Sequence, residues 1–366
     1  MSGVNQLLMS IGSKPVGSNW SVGAELTLLG ASAFGESLRV RALTTSTAIA
    51  TYLDSSYNLW AVVLTVTGNV VTAGTPVTIA TSVFANSVSL AVLDSGNVVC
   101  FFGNSTPILT CMVLSISGTT VTANSASNVS SGSYSFANSV ALSSTKALVA
   151  YVDSGSSYVR MNVVTVTGVS CSVGSTYDTF NAGNGSCELG LLSSSTALLL
   201  FSDGSDLKGT VATVSGAAVS ISTVYSSGTG AGIRCDVVDV SSGGQILSGI
   251  TYTPGLPSSR ISDVMAIAVA GTVVTFGSLL NLNATASRNN SLLCPVSATQ
   301  FFSWNQDSGD SKFRIVSVSS TTATLIGVED PNTFTSVGGE PATLNGSTVL
   351  LLYSDGSSVR TRVVKI

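Results

Sequence analysis

The chain has 366 residues, 44% hydrophobic and 9% charged, with no histidine anywhere. It therefore has ample apolar side chains to bury and is not a disordered polypeptide. Its mean hydropathy of +0.49 comes in short bursts broken by Ser, Thr and Gly, with no run near the roughly 18–20 apolar residues of a spanning helix, so membrane insertion is not expected. The net charge of −4, with 14 scattered basic residues, offers no stripe to neutralise phosphates, which excludes nucleic acid as a partner.

In chain order, Met1 to Gly12 lacks a basic n-region and does not read as a signal peptide. Residues 1–15 precede the first repeated strand and are read as an N-terminal arm. Val4, Leu7, Leu8, Met9 and Ile11 are more apolar than a free tail should be, so they are candidate partner-docking residues. From residue 16 onward the chain repeats. A small-residue/Gly turn between β-rich runs recurs at Gly68, Gly118, Gly168, Gly216 and Gly271, at intervals of 50, 50, 48 and 55 residues. A second phrase keeps register with it. It reads LTTSTAIATYLD from Leu43, LDSGNVVCFFGN from Leu93, LSSTKALVAYVD from Leu142, LSSSTALLLFSD from Leu192, VSSGGQILSGIT from Val240, VSATQFFSWNQD from Val296 and LNGSTVLLLYSD from Leu344.

Each of these seven copies offers a strand, a turn, an apolar strand, an Asp/Gly turn, an alternating strand, a Gly turn and a last strand. That is a four-stranded antiparallel meander. The apolar second strand, such as Ala147 to Val152, predicts cover on both faces, as stacked neighbouring sheets would provide. Radial repetition of such sheets is the β-propeller. The last repeat ends at VRTRVVKI, short of its final strand, while Val16-Gly17 followed by SNWSVGAELTLL stands in phase at the other end. The expected fold is all-β: one domain over 16–366, a seven-bladed β-propeller of four-stranded antiparallel blades, its ring closed by N-terminal strand pairing with the C-terminal blade.

Lack of histidine removes Ser-His and Cys-His catalysis and the commonest metal ligand. No catalytic, cofactor-binding or metal residue is assigned, and the chain is expected not to be an enzyme. The recurrent Asp54, Asp153, Asp203, Asp307 and Asp355, with Asn104 in the second copy, form either a ring of carboxylates or turn caps; turn chemistry is the stronger reading. Arg160, Lys208, Arg314 and Arg360 follow as solvated partners across the same hairpins. Cys100 and Cys111 stand symmetrically about the turn Asn104 to Pro107. They either face each other or are separate buried thiols, and buried thiols are favoured. The fifth copy carries a longer connection from Thr253 to Arg260, in which Pro254, Leu256, Pro257 and Arg260 form a candidate binding loop. Trp304 is placed in the core, with Trp20 and Trp60 toward the rim.

The phrases LSSTKALVAYVDSGSSYVRMNVVTVTG and LTTSTAIATYLDSSYNLWAVVLTVTG resemble the repeat of bacteriophage virion-associated propeller proteins, which are tail, fibre or capsid-decorating components. The resemblance implies a non-enzymatic virion structural protein, made in the host cytoplasm, serving particle assembly or host attachment. Its partners would be other virion proteins and host-surface glycan, with no cofactor. The alternative is a carbohydrate-binding, lectin-like propeller at a cell surface.

Overall fold

The computed structural model describes residues 20–30, 37–181, 186–229, 233–252, 261–282, 292–307, 310–329 and 338–366. Its elements are all β-strands, and every pairing between them is antiparallel. The arm residues Val4 to Ile11 and the loop Pro254 to Arg260 lie outside the described residues.

The predicted meander is present. Arg39–Ala42, Thr47–Leu53, Leu59–Thr67 and Val70–Ala73 pair in that order, and the same order recurs along the chain in six hydrogen-bonded sheets. One sheet has eight strands because Thr120–Ser143 closes one meander and opens the next. Its first half pairs with Ile108–Ser117 and its second with Lys146–Asp153.

Burial follows strand position. All residues of Ala147 to Val152 are buried, as are Ala197 to Ser202 and Val349 to Ser354, because both faces of each second strand meet neighbouring sheets. Apolar clusters bridge successive meanders. Ile49, Leu59 and Val63 pack with Val98, Cys100 and Leu114, and Leu247, Val264 and Ala266 pack with Phe301, Val316 and Val318. Another cluster joins residues far apart in sequence: Val40, Ala48 and Val62 of the first meander pack with Leu344, Leu350 and Val363 of the last. The strand Ser21–Val22 is the outer neighbour of Val359–Lys365, with Ser21 opposite Lys365 and Val22 opposite Val364.

Turn chemistry explains the repeated glycines. Gly68, Gly118, Gly168, Gly216 and Gly271 have φ between 60 and 65° and occupy the first central position of two-residue hairpins, as in a type II′ turn. In the sixth copy Ser320 takes that place at φ 54°, so the motif is present there without its glycine.

One feature departs from the predicted unit. The outer strand is split, so that Val77–Ala80 also pairs with Leu59–Thr67, and Tyr177–Asn181 with Tyr158–Thr167. At the break Gly74 N donates to Val63 O at 2.9 Å and Gly174 N to Val163 O at 2.8 Å. Gly23 N donates to Val363 O at 2.8 Å in the same way. A side chain at these positions would run into the hairpin of the adjoining sheet: a Cβ on Gly174 would lie 2.6 Å from Ala217 O. At Gly23 the obstacle is Asn69 O of the first meander.

Candidate functional site

Four of the recurrent acidic residues, Asp54, Asp153, Asp203 and Asp355, are turn caps, and the side chain of Asp307 lies outside the described residues. Oδ1 of Asp54 accepts from Ser56 N and Asn58 N, at 2.8 and 2.9 Å. Asp153 accepts from Gly155 and Ser156, Asp203 from Ser205 and Asp206, and Asp355 from Ser357 and Ser358. Asn104 does the same with Thr106 and Ile108. Burial pushes these carboxyls up, but the hydrogen bonds outweigh it, so Asp54, Asp153 and Asp355 titrate below the usual range and Asp203 at about 2.

Their second oxygens meet the predicted bases across the hairpin. Asp153 to Arg160 is 2.6 Å, Asp203 to Lys208 3.4 Å and Asp355 to Arg360 2.7 Å. Arg314 does not belong to this set. It stands opposite Ser303, two residues beyond Lys312, and is 4% exposed. Strand alternation carries it deeper into the sheet, and Lys312, opposite Asn305, occupies the hairpin position. Arg360 and Arg362 also hold Glu25, which accepts from Tyr353, and so tie the N-terminal segment to the last strand.

The favoured cysteine reading is borne out, and the alternative of a facing pair is not. Cys100 and Cys111 are buried free thiols, but they are not opposite one another. Cys100 faces Met112 and Cys111 faces Phe101, a one-residue offset that sends the two side chains to opposite faces. Trp304 is core at 1% exposure; Trp20 is half-buried, stacked 6.2 Å from Phe313, and Trp60 is half-buried with Nε1 donating to Asp54 at 2.9 Å.

A polar cluster that the sequence reading did not single out lies on the first strands of the meanders. Arg39, Ser89, Asn138, Glu188 and Glu340 sit at one level, opposite Thr51, Phe101, Ala150, Leu200 and Leu352 of their second strands. Arg41 and Asp239 sit two residues along, opposite Ile49 and Leu247. Contacts cross between meanders. Arg41 Nη1 is 2.5 Å from Glu340 Oε1, whose other oxygen accepts from Val40 N at 2.6 Å. Asn138 Nδ2 donates to Glu188 Oε2 at 2.5 Å, and the Ser89 and Ser139 hydroxyls lie 2.8 Å apart.

Electrostatics show that these groups converge. Burial disfavours the Arg41 charge, yet Glu340, Asp239 and Glu188 together raise its pKa, so first strands of four meanders feel one another. Burial pushes Asp239 up to about 7, with Glu340 adding to the rise and Arg41 opposing it. The cluster still reaches solvent, since the Arg41 side chain is 32% exposed and that of Glu340 14%. It presents a guanidinium fork, fixed carboxylate acceptors and a carboxyl that gains or loses its proton near neutrality. Among the described residues no group of three His, Cys, Asp or Glu side chains could hold a metal.

No family model matches the chain, and no curated protein matches it in sequence. Solved structures do match in fold. The lectin BP39L from Burkholderia pseudomallei superposes with a TM-score of 0.64 at 11% identity, covering 89% of this chain and 95% of the lectin. An ulvan lyase solved with -[GlcA(1-4)Rha3S]- bound gives 0.61 at 7% identity, over 93% of this chain and 96% of the lyase. The periplasmic gluconolactonase of Pseudomonas aeruginosa gives 0.55 at 12%, over 78% and 82%. These matches correct the expectation that the chain is not an enzyme. The same fold carries a lyase and a lactonase, and missing histidine removes only one class of general base, since carboxylates, Lys, Tyr and Cys also transfer protons. At these identities the likeness shows an all-β, propeller-like fold that is compatible with catalysis.

Proposed function

We propose that the chain is a carbohydrate-binding β-propeller of seven blades. The ring closes where Ser21–Val22 completes the last blade, and a glycan is gripped at Arg41, Glu188, Asp239 and Glu340. The observation that carries the reading is the convergence of these four side chains from the first strands of four meanders. In a ring the first strands are innermost, so the cluster would lie about the axis. A cyclic order is supported by the apolar cluster between the first and last meanders and by Gly23 repeating the contact of Gly74 and Gly174.

Sugar hydroxyls both donate and accept, so they suit a site that mixes a guanidinium, an amide and carboxylates. The likeness to a lectin and to two enzymes of sugar chemistry supports the same class. The repeat phrases add the proposal that this binding serves a virus particle contacting a host surface, to be tested by co-fractionation with intact particles.

The test of the main reading is a glycan array probed with the full chain, Arg41→Ala and Glu340→Gln. Wild-type binding to a defined glycan, lost at least tenfold in both variants with folding retained, is expected. Absence of any bound glycan, or equal binding by the variants, would overturn it. Asp239 provides a proton donor and acceptor near neutral pH, so bound glycans are also to be followed for cleavage.

A further inference from the structure

The third strand of each meander packs one fixed residue against one fixed residue on the outer strand of the next. Register defines the pair. The third-strand member stands opposite the fifth residue of its second strand, as Gly209 does opposite Leu200 and Cys111 opposite Phe101. The outer-strand member stands one step inside the Gly turn, as Val274 does opposite Val269 and Cys171 opposite Val166. In four other places the pair is apolar, while the last meander places the buried Thr361 at the third-strand position. Ala61 and Val121 share one cluster and Met161 and Val219 another, Val264, opposite the fourth residue of Ile246–Tyr252, shares a third with Ala323, and Phe313 stacks on Trp20.

How closely the two positions approach is visible where the first is glycine. A Cβ built on Gly209 would lie 3.2 Å from Cγ1 of Val274. The second and third meanders place cysteine at both positions. Cys171 packs into the cluster that holds Cys111, and the two thiols act on each other's titration, raising Cys111 and lowering Cys171. Ser127, opposite Cys111 in the sheet, donates its hydroxyl to Cys171 O at 3.3 Å, which fixes the outer strand over the pair. Two cysteines at facing positions of one cluster, with the outer strand held over them, are placed as a disulfide requires, whose Cβ atoms lie roughly 3.5–4.5 Å apart.

We propose that Cys111 and Cys171 are a paired modification site, oxidised by a low-molecular-weight disulfide such as oxidised glutathione to an intramolecular disulfide that staples the second and third meanders. Accessibility sets the order of steps. Cys171 is half-exposed and Cys111 is buried, and the neighbouring Cys111 thiol favours the thiolate at Cys171. The Cys171 thiolate attacks one glutathione sulfur, breaking the S–S bond and releasing one glutathione thiolate. Cys111 then loses its proton and attacks the Cys171 sulfur of the mixed disulfide, releasing the second glutathione. Two thiols lose two protons and two electrons, and one oxidised glutathione becomes two reduced ones.

The test treats the full-length native protein with oxidised glutathione, quenches with acid, alkylates the remaining thiols and digests with chymotrypsin. Cleavage after Phe101 or Phe102 separates Cys100 from Cys111, and cleavage after Tyr177 or Phe180 separates Cys171 from Cys187. Expected are the loss of two alkylatable thiols, a Cys111–Cys171 cross-linked peptide, and a rise in thermal midpoint that reductant reverses. Cys111→Ser should instead retain one glutathione on Cys171. A wild-type protein that keeps glutathione on Cys171, forms a different pair, or retains all its thiols while folded would overturn the proposal.

Discussion

Gly174→Ala tests the rule by which one sheet seats on the next. The new methyl would lie 2.6 Å from Ala217 O, and 3.2 Å from both Ala217 Cβ and Val163 O. The first separation is far inside van der Waals contact with a backbone atom held in a hairpin, so the outer strand or the adjoining turn must move. Overpacking of this kind costs about 1–3 kcal/mol, while loss of glycine freedom in the unfolded chain returns about 0.4–1 kcal/mol. The net expectation is a destabilisation of about 1–2 kcal/mol, read as a lower urea midpoint at unchanged slope. Ser222 supplies an internal control: it donates N–H to Val211 O at 2.9 Å, as Gly174 does to Val163, and its hydroxyl donates to Thr272 O at 3.2 Å. Gly174→Ser should therefore recover part of what Gly174→Ala loses, because its hydroxyl can hydrogen-bond the carbonyl that a methyl only crowds. Gly30→Ala, which meets nothing within 4 Å, should be neutral or slightly stabilising. If Gly174→Ala matched wild type, or if Gly174→Ser were the worse of the two, the carbonyl seat would not exist.

Ser320 holds φ 54° in a turn where the other copies place glycine, so Ser320→Gly should stabilise by about 1 kcal/mol in the same urea assay. Glu25 titrates low because hydrogen bonds from Tyr353, Arg360 and Arg362 outweigh the upward push of burial. It and the lowered Asp caps therefore contribute stability that is present above about pH 4 and lost as the pH falls through their folded values. Glu25→Gln should cost about 1–2 kcal/mol at pH 7 and flatten the acid limb of a melting-temperature profile. Asp239 has the opposite sign. With its carboxyl raised by burial to about 7, folding is favoured while both states are protonated and loses stability as pH rises from about 4 to about 7. Asp239→Asn should remove that slope and melt higher than wild type at pH 7.5, and an unchanged slope would show that Asp239 is not desolvated.

The repeated parts of the fold were legible because each repeats a local chemical need. A glycine at φ 61° is required where a two-residue hairpin turns, and it therefore recurs at Gly68 and Gly118. An Asp that caps its own turn recurs at Asp54, Asp153, Asp203 and Asp355 for the same reason. The phase of the N-terminal strand was legible too, and Ser21 does pair with Lys365. Misreadings came where side-chain type was used to set register. Arg314 looked like Arg160 because both follow an Asp turn, but a two-residue difference in hairpin length moves it to a buried position. Cys100 and Cys111 flank a turn evenly, which kept a facing pair open beside the favoured buried thiols, and the one-residue offset of the pairing sends them to opposite faces.

The polar cluster escaped for a different reason. Arg41, Glu188, Asp239 and Glu340 come from four stretches separated by roughly fifty residues or more, and only Glu188 and Glu340 share a residue type and a register position. A search for recurrence discards such residues as noise. Yet the chain has few charges to spend, so the ionisable side chains inside RVRA, CELG, VVDV and GGEPA were the available signal. The two kinds of residue answer to different constraints. Contacts that seat one meander on the next must fit the same geometry each time and so converge on the same side chains. A binding centre assembled from first strands needs different groups at each position around one ligand, because a ring of identical charges would repel itself. In a repeat protein of this kind, the positions where the repeat breaks its own rule on the first strand are therefore where ligand recognition is to be sought.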